Sequence, residues 1–532
     1  MLTVRFRLRR VAVLLAVLAA AVAVVGWSVL PRTDDPRWQF RVSGGDYAAR
    51  ASAEIRLLER SFYNGTGLWH MCVPAASCFT KNRDWGSDSL TYVLYLRWRL
   101  THDRSVLPLL RTLARTAPVW DAAATGSSDT VMWDSVADVR EYQATGSREA
   151  LRKAEQAFAW VDSVQAAEFA TGACPAIDYQ WPHGRHGYLK TLETDSNYIK
   201  AALLLYQVTG RHAYLAKAER KYDVVRRYFE SPTISLYTVY VFDHGSACRP
   251  LPGHYFASVN GNMIWAGQAL AQATGRRGYL RQATATARAV QAHLSDGAGV
   301  FADLQADNDV VEPLIEAMYN LASRQHQASA ASWLMTNASA AGADASAAGL
   351  SGRFFDGPPP ATIANAWQVN GAAALAQVAA ALDPGGRPAD PGYWTRARFV
   401  DDSRGLSGTP LRIAVSGRAI AIMGTVGAAC CDAGHATVLV DGIQTYDRTG
   451  IWQNMTSPSV PQPDQVLFAW RWKTAGRHVI TIRPAAYDRE EGGSFFQMSG
   501  YLLVRLGGAL SASSSLATIR IDVFANCRPI HP

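Results

Sequence analysis

Three aspartates lie close together in one segment whose hydrophobic pattern predicts a helix over residues 129–145. Asp129 stands at its start, and Asp134 and Asp138 follow inside it. Carboxyl groups held near one another can serve as general acid and general base. Asp134 has apolar neighbours, where an unpaired charge would be costly, so it indicates either a functional group or an ion pair with a residue such as Arg140. For Asp129 the alternative is a helix cap, because Asp at a helix start commonly caps it.

Further polar and aromatic residues occur where other helices are predicted to begin and in the connections before them. The helix-start residues are Asp84, Trp85, Glu193, Asp195 and Asn260, and the connection residues are Tyr179, Trp181, His183 and Asp243. Glu312 is another carboxyl, inside the predicted helix 309–324. Each has a structural alternative, because such residues also cap helices or form turns.

A repeated phrase connects the predicted helices. It reads YQATGSREALRKA, YQVTGRHAYLAKA and AQATGRRGYLRQA, with LRWRLTHDRSVLPLL before them as a degenerate copy. In the first three, an apolar helix ends at Thr-Gly and another begins a few residues later. Glycine after a helix supplies a left-handed residue, so Gly146, Gly210 and Gly275 predict the tight turns of helical hairpins.

Apolar periodicity predicts twelve helices. They span residues 47–62, 87–101, 104–116, 129–145, 147–165, 194–209, 211–229, 260–274, 276–295, 309–324, 327–341 and 362–382. Segments after the Thr-Gly turns have one apolar face and many charges, whereas their partners are apolar on nearly all sides. This pattern predicts a mainly α fold, an (α/α)6 toroid of six hairpins over residues 40–383. The long connections 166–193 and 230–259 then lie where inner helices begin and are expected to shape a cleft.

The pattern changes after the Pro- and Gly-rich residues 384–392, which predict a linker. Short alternating segments such as LRIAV, ATVLVDG and HVITIRP predict a smaller all-β sandwich over residues 393–507, followed by a tail from 508 to 532. Three tryptophans of this part are either an exposed binding platform or core, and alternation in a sandwich favours core. They are Trp452, Trp470 and Trp472.

The chain begins with a basic stretch and an apolar run. Four arginines, Arg5, Arg7, Arg9 and Arg10, precede the run Val11–Leu30, which is about as long as a membrane-spanning helix. Residues 1–34 therefore predict a signal anchor or a signal peptide, with the bulk of the protein outside the cytoplasm. An uncleaved anchor is favoured, because the run exceeds the usual length of a secretory apolar region and no clear cleavage site follows it.

Charge and cysteine usage narrow the classes of function. The formal net charge is +8, but the arginines are dispersed along the sequence and no nucleic-acid motif occurs, so a nucleic-acid partner is not expected. Seven cysteines in an exported protein make disulfides plausible, and Cys72 with Cys78 could close a short loop. Adjacent Cys430 and Cys431 cannot pair normally with each other. No zinc-type spacing occurs, and we predict no cofactor and no metal.

The stretch from about Ser128 to Asp303 resembles glycoside hydrolase family 76, the α-1,6-mannanases that use an (α/α)6 barrel. SDTVMWDSVADVREYQATG is similar to the catalytic helix of the family, TDSNYIKAALLLYQVTG to its TNE helix, VNGNMIWAGQALAQATG to its YNQG helix and LSDGAGVFAD to its Gly-rich turn. The four motifs occur in the order of the family. The C-terminal part resembles the jelly-roll modules often appended to bacterial glycosidases.

The resemblance implies two adjacent catalytic aspartates, whose positions here are Asp129 and Thr130, so one carboxyl is missing. Glycosidic cleavage usually needs two carboxyl groups, roughly 5 to 5.5 Å apart for retention and about 6.5 to 9.5 Å for inversion. Asp134 shares a helix face with Thr130 but lies about 7.5 Å along the axis and about 140° around from Asp129. Asp134 with Asp138 is another possible pair. We assign Asp129 as nucleophile or base and Asp134 as proton donor.

The resemblance also implies substrate-binding roles, although Trp133 could simply fill the barrel. The residues are Trp133, Asp195, Asn260, Glu193, Trp181, Tyr179, Asp84 and Trp85. The sequence therefore predicts an exported, monomeric glycoside hydrolase or transglycosidase whose substrate is an α-linked polysaccharide such as an α-1,6-mannan. One alternative is a membrane-tethered glycan-binding or cell-wall protein without activity. Another is a polysaccharide lyase, for which His183, His186 and Tyr188 would be candidates.

Overall fold

A computed structural model describes the fold of most of the chain. The described residues are 40–63, 65, 69, 85–116, 128–168, 174, 189–244, 247–251, 254–302, 310–346, 349–351, 354–359, 366–407, 409–426, 435–444, 451–452, 462–484 and 495–505. Twelve α-helices lie within them: α1 (Tyr47–Phe62), α2 (Trp85–Thr101), α3 (Leu107–Thr116), α4 (Ser128–Thr145), α5 (Arg148–Glu168), α6 (Leu192–Thr209), α7 (His212–Phe229), α8 (Ala257–Thr274), α9 (Arg277–His293), α10 (Glu312–Arg324), α11 (Ala328–Gly342) and α12 (Trp367–Leu382).

The even-numbered helices form a closed inner ring. Each of α2, α4, α6, α8, α10 and α12 packs against the next, and α12 packs back against α2. The odd-numbered helices lie outside, each against its hairpin partner or its neighbours. Inner helices approach closely, since a Cβ atom at Gly261 of α8 would stand 2.3 Å from the backbone nitrogen of Leu314 on α10. The predicted (α/α)6 barrel is confirmed, and the twelve predicted segments correspond to the twelve helices.

The Thr-Gly turns have one repeated geometry. Gly146, Gly210 and Gly275 take φ angles of 73°, 70° and 71°, in the left-handed region that favours glycine. The threonine before each glycine donates to the carbonyl four residues back and accepts from the amide two residues on. In the degenerate copy His102 holds the glycine position with φ 56°, and Thr101 makes the same two bonds. The predicted hairpin turns are therefore confirmed.

The strands form three sheets within the described residues. They are β1 (Phe40–Val42), β2 (Leu189–Thr191), β3 (Tyr240–His244), β4 (Ala247–Pro250), β5 (Asp344–Ser346), β6 (Ala397–Ser407), β7 (Leu411–Val426), β8 (His435–Val440), β9 (Ile443–Gln444), β10 (Ile451–Trp452), β11 (Gln462–Pro484) and β12 (Phe495–Val504). Strand β1 pairs with β5, and β2, β3 and β4 form a small antiparallel sheet before α6 and α8. A disulfide joins Cys174 to Cys248 of β4, with Cα atoms 5.1 Å apart. The sequence analysis did not find this pair, and Cys72 and Cys78 lie outside the described residues.

The C-terminal part is all-β, as predicted. Its strands follow the order β10-β8-β11-β7-β12-β6, with β9 on β8, so the described strands join one antiparallel sheet rather than two separate ones. The ladder of β7 and β11 is irregular between Arg471 and Gly476, and both halves of β7 contribute to a common core, for example through Ile413 and Ile420. Trp470 and Trp472 are buried in this core, which confirms the favoured reading for these two residues; the side chain of Trp452 lies outside the described residues.

The sheet packs against the barrel at the connections that follow the outer helices α9 and α11. Arg471 of β11 donates to the backbone carbonyls of Asp356 at 2.9 Å, Phe355 at 3.2 Å and Ala340, at the end of α11, at 3.4 Å. Apolar residues of the sheet, including Ala469, belong to the same core as the barrel helices. Arginine is suited to this position because its planar group holds several donors in fixed directions.

The exact boundaries of the predicted domains stay predictions. Helix gives way to strand between Leu382 and Ala397, around the predicted linker 384–392. The segment Val11–Leu30 and the tail from 508 lie outside the described residues. Within the part of the chain that the structure describes, no helix is both long and apolar enough to cross a membrane.

Candidate functional site

Asp129 lies in the first turn of α4, at the end of the barrel where the inner helices begin. Its side chain is buried, with 5% of the residue exposed. The side chains of Trp133, one turn further along α4, and Asn197 of α6 donate hydrogen bonds to this carboxyl group. Trp133 is itself buried and lies edge-on to Tyr92 of α2, with ring centroids 5.9 Å apart. Trp133 therefore holds Asp129 and packs inside the barrel, and its predicted contact with a sugar ring stays a prediction.

The carboxyl group of Asp129 is unusually easy to protonate. Burial raises the pKa of Asp129 to about 7, and the bonds from Trp133 and Asn197 oppose this rise only in part. Among the described residues, Oδ1 of Asp129 has no hydrogen-bond partner. A carboxyl group that titrates near neutral pH and has an oxygen without a protein partner can transfer a proton to a bound molecule.

A chain of side chains leads from Asp129 into the barrel. Asn197 accepts a hydrogen bond from Nδ2 of Asn262 on α8 at 2.9 Å. Oδ1 of Asn262 accepts in turn from Nζ of Lys200 on α6 at 3.2 Å. Lys200 then meets Oε2 of Glu316 on α10 at 3.1 Å. The chain thus connects α4, α6, α8 and α10 through groups that are all buried.

Glu316 is surrounded by three cations at the centre of the barrel. Arg99 of α2 lies 3.2 Å from Oε1, Arg140 of α4 bonds the same oxygen, and Lys200 bonds the other. Burial acts to raise the pKa of Glu316, but the three cations outweigh it and bring the pKa to about 2. Burial also lowers the pKa of Lys200 to about 8, against the attraction of Glu316. The predicted partner Arg140 is therefore paired with Glu316, a residue that the sequence analysis did not single out.

The other two aspartates of α4 are less exposed than Asp129. Asp134 and Asp138 are both 1% exposed and both have polar contacts within the barrel. Thr130, which stands where the resemblance implies a second aspartate, is half-buried. The catalytic role of Asp134 stays a prediction.

Two of the predicted substrate-binding residues are occupied by protein contacts. Asn260 donates to the carbonyls of Tyr237 at 3.0 Å and Phe256 at 2.9 Å, and it accepts from the amide of Tyr237 at 2.9 Å. Its amide group thus fastens a connection to α8 and has no donor left for a sugar. Asp195 pairs at 2.9 Å with Lys221 of the outer helix α7, both buried. These contacts favour the structural alternative for Asn260 and Asp195, and their sugar-binding roles stay predictions.

The remaining candidates fall into two groups, those whose side chains the structure describes and those whose side chains it does not describe. Glu193 is half-buried in the first turn of α6 and Glu312 is buried at the start of α10; both have polar contacts. Trp85 begins α2 and Asp243 lies in β3, but their side chains fall outside the described residues, as do Asp84, Tyr179, Trp181 and His183 entirely. Their binding roles stay predictions.

Comparison with solved structures identifies the architecture of the barrel. The α-1,6-mannanase GH76A from Salegentibacter sp. HEL1_6 has a TM-score of 0.54 and 18% identity, and the match covers 64% of this chain and 100% of that one. The family 76 α-mannanase from Bacteroides thetaiotaomicron has a TM-score of 0.53 and 16% identity, with 63% and 96% covered. The barrel has the fold of the family 76 mannanases.

The family 76 fold covers the helical part of the chain, which is about the 64% that the match includes.

Comparisons of the sequence itself give no match. No family model matches the sequence, and no curated protein matches it either. An inactive variant of the Salegentibacter mannanase, in which two consecutive aspartates are replaced, has been solved with α-1,6-mannotetrose, and it matches this chain with a TM-score of 0.55, 18% identity and coverage of 64% and 100%.

Proposed function

We propose that the protein is an exported glycoside hydrolase or transglycosidase that acts on an α-linked polysaccharide of the α-1,6-mannan type. The single observation that carries this proposal is Asp129. It is a buried carboxyl group with a pKa of about 7, raised by burial, and an oxygen without a described partner, at the mouth of a family 76 barrel. The Salegentibacter mannanase variant that is inactive lacks two consecutive aspartates, which supports a catalytic task for an aspartate here.

The raised pKa changes the role that we assign to Asp129. A nucleophile or base must be ionised, whereas a carboxyl group with a pKa of about 7 still carries its proton in much of the population near neutral pH. We therefore propose Asp129 as the acid/base that protonates the leaving oxygen. Asp134 is the proposed second carboxyl group, which would stabilise or attack the sugar carbon.

A second candidate function rests on Thr130. If Asp134 cannot replace the carboxyl group that is missing at this position, the barrel would bind α-linked glycans without cleaving them. Thr130 is half-buried beside Asp129, so its hydroxyl could still donate to a bound sugar.

The place of action is proposed to be outside the cytoplasm. The N-terminal arginines and the apolar run support export, and the Cys174–Cys248 bond suits an oxidising compartment. Attachment to the membrane through residues 1–34, and the monomeric state, stay predictions.

The test is incubation of the purified protein with α-1,6-mannan and with other α-glycans, followed by assay of new reducing ends. We expect release from the α-1,6-mannan, with kcat/KM falling as the pH rises through about 7 because Asp129 loses its proton. Asp129→Asn should abolish release. Asp296→Asn is the matched control, since burial also raises the pKa of Asp296 to about 7 but Asp296 lies between the barrel and the sheet.

The other outcomes are equally informative. Binding of mannan without release would favour the second candidate, and Thr130→Asp should then create cleavage. A product that absorbs as an unsaturated sugar would indicate a lyase. Full activity in Asp129→Asn would disprove the proposed chemistry, and full activity in Asp134→Asn would remove Asp134 from it.

A further inference from the structure

The hydrogen bonds that connect Lys200 to Asp129 through Asn262 and Asn197 have fixed donors and acceptors. Lys200 can only donate hydrogen bonds, so it must face the amide oxygen of Asn262. The amide nitrogen of Asn262 therefore points to Asn197 and to Oγ of Ser196. Because the oxygen of Asn197 is used in this way, its nitrogen remains for Asp129. One cation thus determines the orientation of two amide groups, each of which could otherwise turn around.

Lys200 is itself held firmly. It is fully buried in an otherwise apolar part of α6, its Nζ lies 3.1 Å from Glu316, and the ring of Tyr92 is 4.5 Å away. Glu316 is in turn paired with Arg99 and Arg140. Burying a cation costs free energy. The ion pair with Glu316 and the hydrogen bond to Asn262 offset this cost, and the second of these leads towards Asp129.

We propose that Lys200, anchored by Glu316, is a positioning residue that acts on Asp129 through Asn262 and Asn197. The amide hydrogen that Lys200 directs at the carboxyl group favours its ionised form and keeps Asp129 aimed at the mouth of the barrel. The inference rests on the proposed function for its meaning in catalysis, but the chain of hydrogen bonds can be tested without any substrate.

The test follows the ionisation of Asp129 through its neighbour Trp133. The full-length protein is labelled with 5-fluorotryptophan, and the fluorine signal of Trp133 is identified by its loss in Trp133→Phe. Since Trp133 donates to Asp129, its chemical shift should titrate with that carboxyl group. The variants are Lys200→Met, Lys200→Arg and Asn262→Ala. Lys221→Met is the matched control. It also removes a buried lysine that is paired with a residue of α6, but that residue is Asp195, which is not part of the chain of hydrogen bonds.

The other buried titratable groups of α4 and of the helices that contact it directly or through Glu316 are left unchanged. They are Asp134, Asp138, Arg140 and Glu141 on α4, Asp88 and Tyr92 on α2, Lys153 on α5, Asp195 on α6, and Glu312 and Glu316 on α10. A change in the midpoint that occurs in Lys200→Met and Asn262→Ala but not in Lys221→Met therefore reports the chain of hydrogen bonds.

We expect Lys200→Met to raise the midpoint of the Trp133 signal by about one pH unit, the size of losing one hydrogen bond to a charged group. Lys200→Arg should return it towards the wild-type value, and Lys221→Met should lower the Tm without moving the midpoint. On α-1,6-mannan, kcat of Lys200→Met should fall about tenfold while KM stays within about twofold.

Unchanged midpoints in Lys200→Met and Asn262→Ala, with only the Tm lowered, would overturn the inference and leave Lys200 a structural residue. If Lys200→Met does not fold, Asn262→Ala decides, because it breaks the chain and keeps every charge. If the wild-type protein cleaves no glycan but the midpoints move as expected, the proposed function fails and the positioning role stands.

Discussion

Two of the buried aspartates, Asp129 and Asp296, lie in very different surroundings. Burial is the largest cause that raises the pKa of each to about 7. Asp296 accepts from the backbone amides of Ala298 at 2.8 Å, Val300 at 2.9 Å and Arg471 at 3.1 Å. Asp129 instead accepts from the side chains of Trp133 and Asn197.

This difference separates a structural carboxyl group from a candidate catalytic one. Backbone amides fix both oxygens of Asp296 in a turn that joins the barrel to the sheet. Asp129 keeps an oxygen without a described partner, and its own partners belong to inner helices. A raised pKa alone therefore does not identify a catalytic residue, because burial produces it in both places. What distinguishes the two is whether the carboxyl group still has an oxygen to offer.

The largest expected effect is on catalysis and separates the two aspartates. Asp129→Asn should lower kcat/KM on α-1,6-mannan by about 10⁴-fold, because the amide cannot supply the proton. Asp296→Asn should stay within about twofold of the wild type when rates are compared per folded molecule. Reducing-end assays on both variants measure these rates. Equal losses would show that the different hydrogen-bond partners of the two aspartates do not separate a catalytic residue from a structural one.

Next in size is the effect of neutralising the central anion of the barrel. Glu316→Gln should reduce the free energy of unfolding by about 4 kcal/mol, because three buried or half-buried cations lose their counter-ion. Denaturant unfolding gives the value. Glu149→Gln, on the surface of α5, is the control and should leave the free energy of unfolding nearly unchanged, because an exposed ion pair contributes little. A small loss in Glu316→Gln would mean that the cluster is solvated in solution.

On the interface side, Arg471→Met should reduce the free energy of unfolding by about 2 kcal/mol. The variant leaves the carbonyls of Ala340, Phe355 and Asp356 without their donor. Arg483→Met, an exposed arginine of the same strand, is the control. Activity per folded molecule should be unchanged, and a large loss of activity would place the interface within the catalytic machinery.

The smallest expected effect is a dependence of stability on pH. Asp129 and Asp296 have raised pKa values in the folded protein, so the folded state holds more protons than the unfolded state between about pH 4 and pH 7. Their contribution to stability is therefore lost as the pH rises through this window. We expect the Tm to fall from pH 5 to pH 8, and Asp296→Asn to flatten this fall. A Tm that rises over the same range would contradict the burial of these groups.

Much of the fold could be predicted because its signals are local. The apolar faces and the Thr-Gly phrases place twelve helices, and the segment predicted at 309–324 is observed from Glu312 to Arg324. The site was predicted less completely. Asn260 was chosen, yet Asn262 lies in the bore, because two residues along a helix turn the side chain by about 200°. Lys200 could have been found, since a lysine within an apolar inner helix is the same signal that drew attention to Asp134.

The sequence by itself determined the helical hairpins. Each turn depends on a threonine whose two backbone hydrogen bonds reach at most four residues along the chain and on a residue in the left-handed region, which is His102 in the degenerate copy. Only the tertiary structure decided which carboxyl groups are paired and which are not. Asn197 meets Asn262 across 65 positions of the chain, and Arg140 meets Glu316 across 176. Burial and partners of this kind set the pKa of Asp129, and they exist only once the ring of inner helices has closed.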